Sequence, residues 1–132
     1  MLPDHTTDQL PVSRPVRLAF PETARAIRGH QQTVTRRLNP PVLKAGDMVE
    51  AVQSEWMLTF TGAVTPLATL RVVSLREECL SLLMDDPAYG ADELRLEGGP
   101  ANTVGNWVLG LLIRYKTLSP NTPITRIEFE YV

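Results

Sequence analysis

The chain has 132 residues, of which 43% are hydrophobic and 21% charged, values typical of one globular domain rather than a disordered chain. Its net charge of −2 disfavours indiscriminate binding to nucleic acid, and its single cysteine, Cys79, excludes an internal disulfide. No segment has the roughly 20 apolar residues that a membrane helix needs, and the N-terminal stretch lacks the apolar core of a secretory signal. We therefore expect a cytoplasmic protein.

The charge is unevenly distributed along the chain. Residues 1–46 carry seven Lys/Arg against three Asp/Glu, a net of +4, and the remainder carries six against twelve, a net of −6. This asymmetry permits a local positive face on an acidic protein. It is equally compatible with two halves that pair with each other, and the sequence leaves both interpretations open.

The first half predicts a tail, two strands and a helix. Residues 1–13 are polar and contain prolines, which favours a flexible tail ahead of a single domain over residues 14–132. The alternating stretch VRLAF predicts a strand, and PETARAIRG predicts a helix that begins near Pro21 and stops at Gly29. QTVTRRL is β-branched and alternating, so we predict a second strand, which NPP ends.

The second half adds strands and two helices. Strands are predicted from Met48, over EWMLTF (Glu55–Phe60) and over LATLRVVSL (Leu67–Leu75). REECLSLLM has helical spacing, with Cys79 as a small buried hydrophobe on its apolar stripe, and DDPAYG is expected to end that helix. NWVLGLLIRYKTL predicts another helix, and ITRIEFEYV a closing strand.

The order of these elements indicates the fold class. About six strands do not alternate strictly with helices, which argues against a doubly wound parallel sheet. We predict an α+β, mostly β protein: a small antiparallel barrel with peripheral helices. The closing strand over Ile124–Tyr131 could form an exposed edge for a protein partner, although its charged residues argue against open pairing.

Several common sites lack their sequence signals. GGPANTVG does not continue into the Lys-Ser/Thr of a phosphate-binding loop. With only two histidines, His5 and His30, and one cysteine, the chain offers too few ligands for a zinc site. We expect neither a metal nor a cofactor.

An ordered set of short motifs resembles the ASCH family, whose members are small β-barrel proteins related to PUA-type RNA-binding domains. The set comprises GHQQTVTRR, KAGDMV, LEGGP followed by a helix, and ITRIEFEYV, over about residues 16–132. The family motif has a Gly, a Lys and Thr-x-Thr-x-Arg after the first helix. Gly29, Thr33, Thr35 and Arg37 match it, but the lysine position falls on Gln32. The resemblance implies a PUA-like barrel.

The same resemblance implies two activities. Some ASCH proteins are N4-acetylcytidine amidohydrolases, and others are implicated in RNA binding or cleavage. In the amidohydrolases a Lys, a Thr and a Glu surround a cleft, and here Thr35 and Glu97 take the last two places. Gln32 cannot accept a proton from a threonine hydroxyl, so hydrolysis would need another base, such as Glu97 with a raised pKa, Lys44 or His30.

The missing lysine therefore favours binding over catalysis. We predict a binding module for RNA or a nucleoside-like ligand, with an amidohydrolase of acylated pyrimidine nucleosides, using Thr35 and Glu97, as the alternative. The predicted cleft is lined by Gln32, Thr33, Thr35, Arg37 and Glu97, and phosphates are steered by Arg25, Arg28, Arg36 and Lys44.

Three side chains keep two interpretations each. Arg37 could fork onto a phosphate or carboxylate of a ligand, or pair with an acid such as Glu97. Trp56 and Trp107 could each stack on a base or pack in the core: Trp56 is the better candidate for stacking, although core packing is favoured for it too, and Trp107 is expected to anchor its helix in the core. The sequence does not predict an oligomeric state.

Overall fold

The computed structural model describes residues 16–53, 64–116 and 118–132. The tail over residues 1–13, the predicted strand Glu55–Phe60 and Trp56 lie outside these residues. The described part contains β1 (Val16–Ala19), α1 (Ala24–Arg28), β2 (Val34–Arg37), β3 (Met48–Gln53), β4 (Thr65–Cys79), α2 (Ser81–Asp85), α3 (Pro87–Leu96), α4 (Val104–Arg114) and β5 (Pro123–Tyr131).

The five described strands form one curled sheet in the order β1-β3-β4-β5-β2. Only the β1–β3 pair is parallel; the other described pairs are antiparallel. Register shifts interrupt the pairing of the 15-residue β4 with both of its neighbours, and such irregularities bend a strand. A mostly antiparallel, half-barrel sheet with helices around it confirms the predicted fold class.

Strand β5 lies inside the sheet. It pairs along its length with β4 on one side and with β2 on the other. The interpretation of Ile124–Tyr131 as an exposed edge for a protein partner is therefore wrong. Apolar and polar side chains alternate along β5. Ile127 and Phe129 are buried on the core side, and Arg126 on the opposite face is buried as well.

The region between β4 and α4 differs from the prediction. The stretch expected to start a helix continues β4 to Cys79, whose thiol is only partly buried and donates to Asn121 O at 3.1 Å. DDPAYG ends the short helix α2 at Asp85, as predicted, but it also starts α3: the Asp86 carboxylate accepts from the Tyr89 N–H at 3.2 Å, and Pro87 occupies the first turn. An Asp-Pro pair of this kind favours a helix start.

Two apolar clusters fill the interior. The first packs the sheet against α1 and includes Leu18, Phe20, Ile27, Leu70, Ile127 and Phe129. The second packs α2 and α4 against the end of β5 and includes Leu80, Leu83, Trp107, Val108, Leu111 and Ile124. Trp107 is buried, which confirms its predicted anchoring role.

Candidate functional site

A pocket of about 480 Å³ opens where the two apolar clusters meet. Phe20 from the first cluster and Trp107 from the second both line it. Of the side chains singled out in the sequence, the structure brings Gln32, Thr35, Arg36, Arg37 and Glu97 to this pocket. Residues far apart in sequence, from the start of β2 and the end of α3, therefore share one cavity.

Two consecutive glycines shape the turn that presents Glu97. Gly98 and Gly99 have φ of +86° and +65°, in the left-handed region of the backbone that residues other than glycine rarely adopt. A Cβ on Gly98 would lie 2.9 Å from the Ala26 Cβ and 3.1 Å from the Gln32 Oε1, whereas a Cβ on Gly99 would meet nothing within 4 Å. Gly98 thus allows the turn after α3 to approach α1 and Gln32 closely.

Gln32 is 2% exposed and only half of its amide is satisfied. Its Nε2 donates to Val34 O at 2.9 Å, and this bond fixes which end of the amide is the oxygen. The Oε1 atom has no hydrogen-bond partner in the described part of the structure. A buried acceptor without a partner costs about 1–3 kcal/mol, so a donor from a ligand would be favourable there.

Arg36 is enclosed by carboxylates and has no exposed side-chain surface. Its Nη1 donates to Glu97 Oε2, and its Nη2 donates to both Glu78 Oε1 and Glu93 Oε1, each at 2.7 Å. The guanidinium also lies 5.5 Å from the centre of the Trp107 ring. The predicted role of Arg36 in steering phosphates is therefore wrong, because its guanidinium is already paired with three acids inside the protein.

Further side chains extend this contact into what we call the buried ion cluster. Arg126 donates to both oxygens of Glu93, at 2.5 and 3.1 Å. On the outer side, Glu78 Oε2 accepts from Arg76 at 2.7 Å and from the Tyr89 hydroxyl at 2.6 Å. The cluster consists of Arg36, Arg76, Arg126, Glu78, Glu93, Glu97 and Tyr89, and its three arginines match its three glutamates. Arg36 from the basic half meets acids of the other half, which supports the pairing interpretation of the charge asymmetry.

The three glutamates of the cluster differ in their pKa. Burial would raise the pKa of Glu78, but hydrogen bonds from Tyr89, Arg36 and Arg76 outweigh it and lower that pKa to about 2. Burial would likewise raise the pKa of Glu93, but hydrogen bonds from Arg126 and Arg36 outweigh it and lower that pKa. For Glu97 burial prevails over the attraction of Arg36 and raises the pKa to about 7. Glu97 is thus a pocket carboxyl that changes protonation near neutral pH.

Arg37, the next residue on β2, has a different environment. Its Nε donates to Thr35 Oγ1 at 2.9 Å and its Nη2 to Ala19 O at 2.8 Å, and its guanidinium lies 4.7 Å from the centre of the Phe20 ring. No acid among the described residues forms an ion pair with it, and Glu97 pairs with Arg36 instead. The alternative of an Arg37–Glu97 salt bridge is therefore wrong. Burial, and then the like charge of Arg114, lower the pKa of Arg37.

The remaining predicted side chains lie away from the pocket. Thr33 is held through its backbone, which bonds Leu96 O and the Phe129 N–H at 2.9 Å each. On the surface Arg28 donates to Gln53 at 3.1 Å, Lys44 pairs with Asp47 at 2.9 Å, and the His30 ring stacks on Tyr131 at 4.2 Å. Arg25 is exposed on α1 and does not line the pocket either. Lys44 and His30 are thus not placed to replace the missing lysine.

Of the three acids that hold Arg36, sequence reasoning singled out Glu97 but missed Glu78 and Glu93. Glu93 and Glu97 are four residues apart, a spacing that places both on one face of a helix. Because α3 was not predicted, this spacing carried no meaning in the sequence. The Asp86-Pro87 start would have revealed the helix, and with it the paired acids.

The described residues also bear on metal binding and on membrane insertion. No group of three His, Cys, Asp or Glu side chains there is arranged to hold a metal ion. In the same part of the chain, no helix is both long and apolar enough to cross a bilayer.

Comparisons with known proteins establish the fold. No protein-family model and no curated protein sequence matches the chain. Among solved structures, protein EF3133 of the DUF984 family from Enterococcus faecalis V583 matches with a TM-score of 0.62 and 14% identity, over 98% of this chain and 88% of that one. The ASCH domain from Lactobacillus crispatus JV V101 matches with a TM-score of 0.59 and 12% identity, over 98% and 90%.

A third structure, ASCH from Zymomonas mobilis, matches with a TM-score of 0.52 and 15% identity. The match covers 87% of this chain but only 64% of that protein. At these identities the likeness concerns the fold alone. The chain has the fold of ASCH domains, a small PUA-like α+β fold, which confirms the resemblance seen in its motifs.

Proposed function

We propose that the protein binds a nucleoside-like ligand in this pocket. The observation that carries the proposal is the convergence of Gln32, Thr35, Arg37 and Glu97 around one cavity of about 480 Å³. Small-molecule sites have volumes of roughly 300–1,000 Å³ and combine apolar walls with a few polar groups. Here Phe20, Trp107 and Leu111 supply apolar wall, and the four side chains above supply the polar groups.

Gln32 makes the proposal more specific. One proton of its Nε2 is donated to Val34 O, whereas its Oε1 has no partner at all in the described part of the structure, so Oε1 is the atom that we expect to contact a ligand. An amino group on the base satisfies this acceptor, whereas a carbonyl oxygen at the same place repels it. We therefore expect cytidine and adenosine to bind better than uridine.

A nucleoside-sized ligand is better supported than a long RNA. Of the four cations predicted to steer phosphates, Lys44 is paired with Asp47, Arg28 bonds Gln53, Arg36 is buried, and Arg25 is exposed on α1 away from the pocket. The net charge is −2, so there is little long-range attraction for a polyanion. RNA would then bind through a single unpaired nucleotide rather than along its backbone.

Titration calorimetry with cytidine, adenosine and uridine tests the proposal. Replacement of Gln32 by Met keeps the side-chain length but removes the acceptor, and we expect roughly fivefold weaker binding of cytidine. Gln31→Met is the matched control, because Gln31 is exposed and outside the pocket. If no nucleoside binds at millimolar concentration, or if both variants bind as the parent does, the proposal is wrong.

An amidohydrolase is the second candidate, and the pKa of Glu97 near 7 favours it. Thr35 Oγ1 accepts from Arg37 Nε, so the hydroxyl proton is directed elsewhere. If Glu97 takes that proton, the oxygen can attack an acyl carbonyl, and Glu97 can return the proton to the departing amine before water releases the acyl group. Glu97 then acts as the base that Gln32 is not.

Release of cytidine from N4-acetylcytidine tests this candidate. Glu97→Gln should abolish the release, and Gln32→Lys should increase it by supplying a second titratable group. The control is Glu77→Gln, which changes an exposed acid outside the pocket. Failure of both the parent protein and Gln32→Lys to release cytidine would remove the enzyme from consideration.

A further inference from the structure

The charges that line the pocket do not cancel. Glu97 neutralises Arg36, and Glu22 pairs with Arg114 at the rim. Arg37 is the remaining cation, and no acid in the described part of the chain forms an ion pair with it. The pocket thus carries one uncompensated positive charge, on a partly buried side chain.

Arg37 is held rigidly in a position to receive a ligand. Its two hydrogen bonds use Nε and one proton of Nη2, and both acceptors are neutral: a hydroxyl and a backbone carbonyl. The contact with the Phe20 ring restrains the guanidinium plane. Among the described residues, no side chain or carbonyl takes the protons of Nη1. The Nη1–Nη2 fork is therefore available, and this fork matches two oxygens of a phosphate or carboxylate.

Arg114 adds a second cation beside Arg37. Both arginines line the pocket; burial first, and then the like charge of Arg114, lower the pKa of Arg37. The pair that Arg114 makes with Glu22 is half-exposed on both sides, and exposed pairs contribute little stability. Arg114 can exchange Glu22 for a ligand oxyanion at low cost, and an anion between the two arginines would relieve their repulsion.

We propose that the ligand of this pocket is anionic, a nucleotide rather than a neutral nucleoside, and that Arg37, assisted by Arg114, binds its oxyanion. This inference rests on the proposed nucleoside pocket and adds the charged group. Phosphate monoesters and carboxylates both present the two oxygens that the fork requires. A nucleotide is favoured because its dianionic phosphate can neutralise Arg37 and Arg114 together.

Binding of cytidine 5′-monophosphate, cytidine and the pyrimidine carboxylate orotate is the test. We expect the nucleotide to bind at least roughly tenfold more tightly than cytidine, because hydrogen bonds to charged groups are the stronger ones. The preference should shrink as salt is added. If orotate alone shows the advantage over cytidine, the carboxylate is the true ligand group and the nucleotide assignment is wrong.

Variants locate the effect on Arg37. Arg37→Gln should weaken binding of the nucleotide far more than binding of cytidine, so that the preference between the two compounds is lost. Arg28→Gln is the control, since Arg28 is exposed outside the pocket, and it should retain the preference. Loss of the preference with added salt in the parent protein provides a readout that does not depend on how a variant folds.

The outcomes separate the two proposals. Equal affinities for cytidine and its monophosphate, or an unchanged preference in Arg37→Gln, would overturn the anion site and leave the nucleoside pocket intact. Absence of binding by either compound would overturn the nucleoside pocket, and the anion site with it.

Discussion

Arg36 and Arg37 are neighbours on β2, yet their side chains lie on opposite faces of the strand and have different partners. Arg36 is fully buried and meets three carboxylates at 2.7 Å. Arg37 is partly buried and meets a hydroxyl, a carbonyl and an aromatic ring. The protein pairs Arg36 with three acids and leaves its Nε without a partner in the described part of the structure, whereas Arg37 has no acid partner there and keeps part of its fork for a ligand.

Within this one short motif, Arg36 therefore contributes to the stability of the fold, and Arg37 is available to bind a ligand. A buried arginine is tolerated only when acids and hydrogen bonds replace its hydration, and α3 supplies two of those acids to Arg36. No helix supplies acids to the face of Arg37, which opens on the pocket instead. Replacement of the two arginines should therefore affect different measurements.

The largest expected effect is on stability, at Arg36. Replacement by Met leaves Glu78, Glu93 and Glu97 buried with less compensation, and removal of one partner from a buried pair costs about 3–5 kcal/mol. Arg37→Met should cost no more than about 1 kcal/mol, because no buried acid loses its partner. Urea unfolding of both variants measures the difference. Equal losses would show that the two faces of β2 are energetically alike.

A smaller loss of stability is expected at Gly98, which forms the turn that places Glu97 next to Arg36. Gly98→Ala imposes a left-handed backbone on alanine and brings its Cβ to 2.9 Å from Ala26, so we expect a loss of about 2–3 kcal/mol. Gly99→Ala has the same backbone restriction without the contact and should cost about 1 kcal/mol. The same unfolding assay compares the two variants. Equal losses of stability would show that the close contact at Gly98 has no energetic consequence.

The pH dependence of stability should report on Glu97. Its folded-state pKa of about 7 lies above the ordinary 4.5, so the folded protein holds this proton more tightly than the unfolded chain. Stability should fall as pH rises from about 4.5 to about 7, by about 3 kcal/mol, and then level off. Thermal melts across this range measure the effect.

Glu97→Gln should remove this slope, and Glu130→Gln, at an exposed acid, should preserve it. Below pH 4.5 the opposite sign applies. Glu78 has a lowered pKa of about 2, so its contribution is present above the ordinary value of 4.5 and disappears as pH falls toward 2. A melt profile that is flat between pH 4.5 and 7 in the parent protein would contradict the assignment of Glu97.

The smallest effect is expected at the outer side of the ion cluster. Tyr89→Phe removes the hydroxyl that bonds Glu78 and Arg76 but leaves the Arg36–Glu78 contact in place. We expect a loss of about 1 kcal/mol in urea unfolding. Arg71→Gln breaks an exposed pair with Glu130 and should change the stability by less than about 0.5 kcal/mol. If the Tyr89 variant lost no more than this control, the hydroxyl would add nothing to the cluster.

Much of the fold could be predicted because its signals are local. Alternation predicted strands over QTVTRRL and ITRIEFEYV, and the structure has them at Val34–Arg37 and Pro123–Tyr131; the apolar spacing around Trp107 predicted α4. The segment from Arg76 to Leu96 was misread, because apolar residues at helical spacing near a strand end are compatible with both structures. There the long β4 and its pairing with β5 decided the outcome.

The candidate site was predicted only in part. Gln32, Thr35, Arg37 and Glu97 converge on the pocket, while Thr33, Arg28 and Lys44 do not line it. Resemblance to a family motif indicated the first group, but it indicated Thr33 as well, so a motif match alone did not place a side chain in the cavity. Basic residues chosen for their charge alone did not have to share that cavity, since charge carries no information about position.

The sequence by itself determined that Arg36 and Arg37 face opposite sides of a strand, because side chains alternate along every strand. It also determined that glycines follow Glu97, at a turn that needs positive φ. Only the tertiary structure decided which arginine receives the acids, which lie 42, 57 and 61 residues away from Arg36 along the chain. Partner choice at that separation depends on the order of strands in the sheet and on the face where α3 packs, and local periodicity does not specify either.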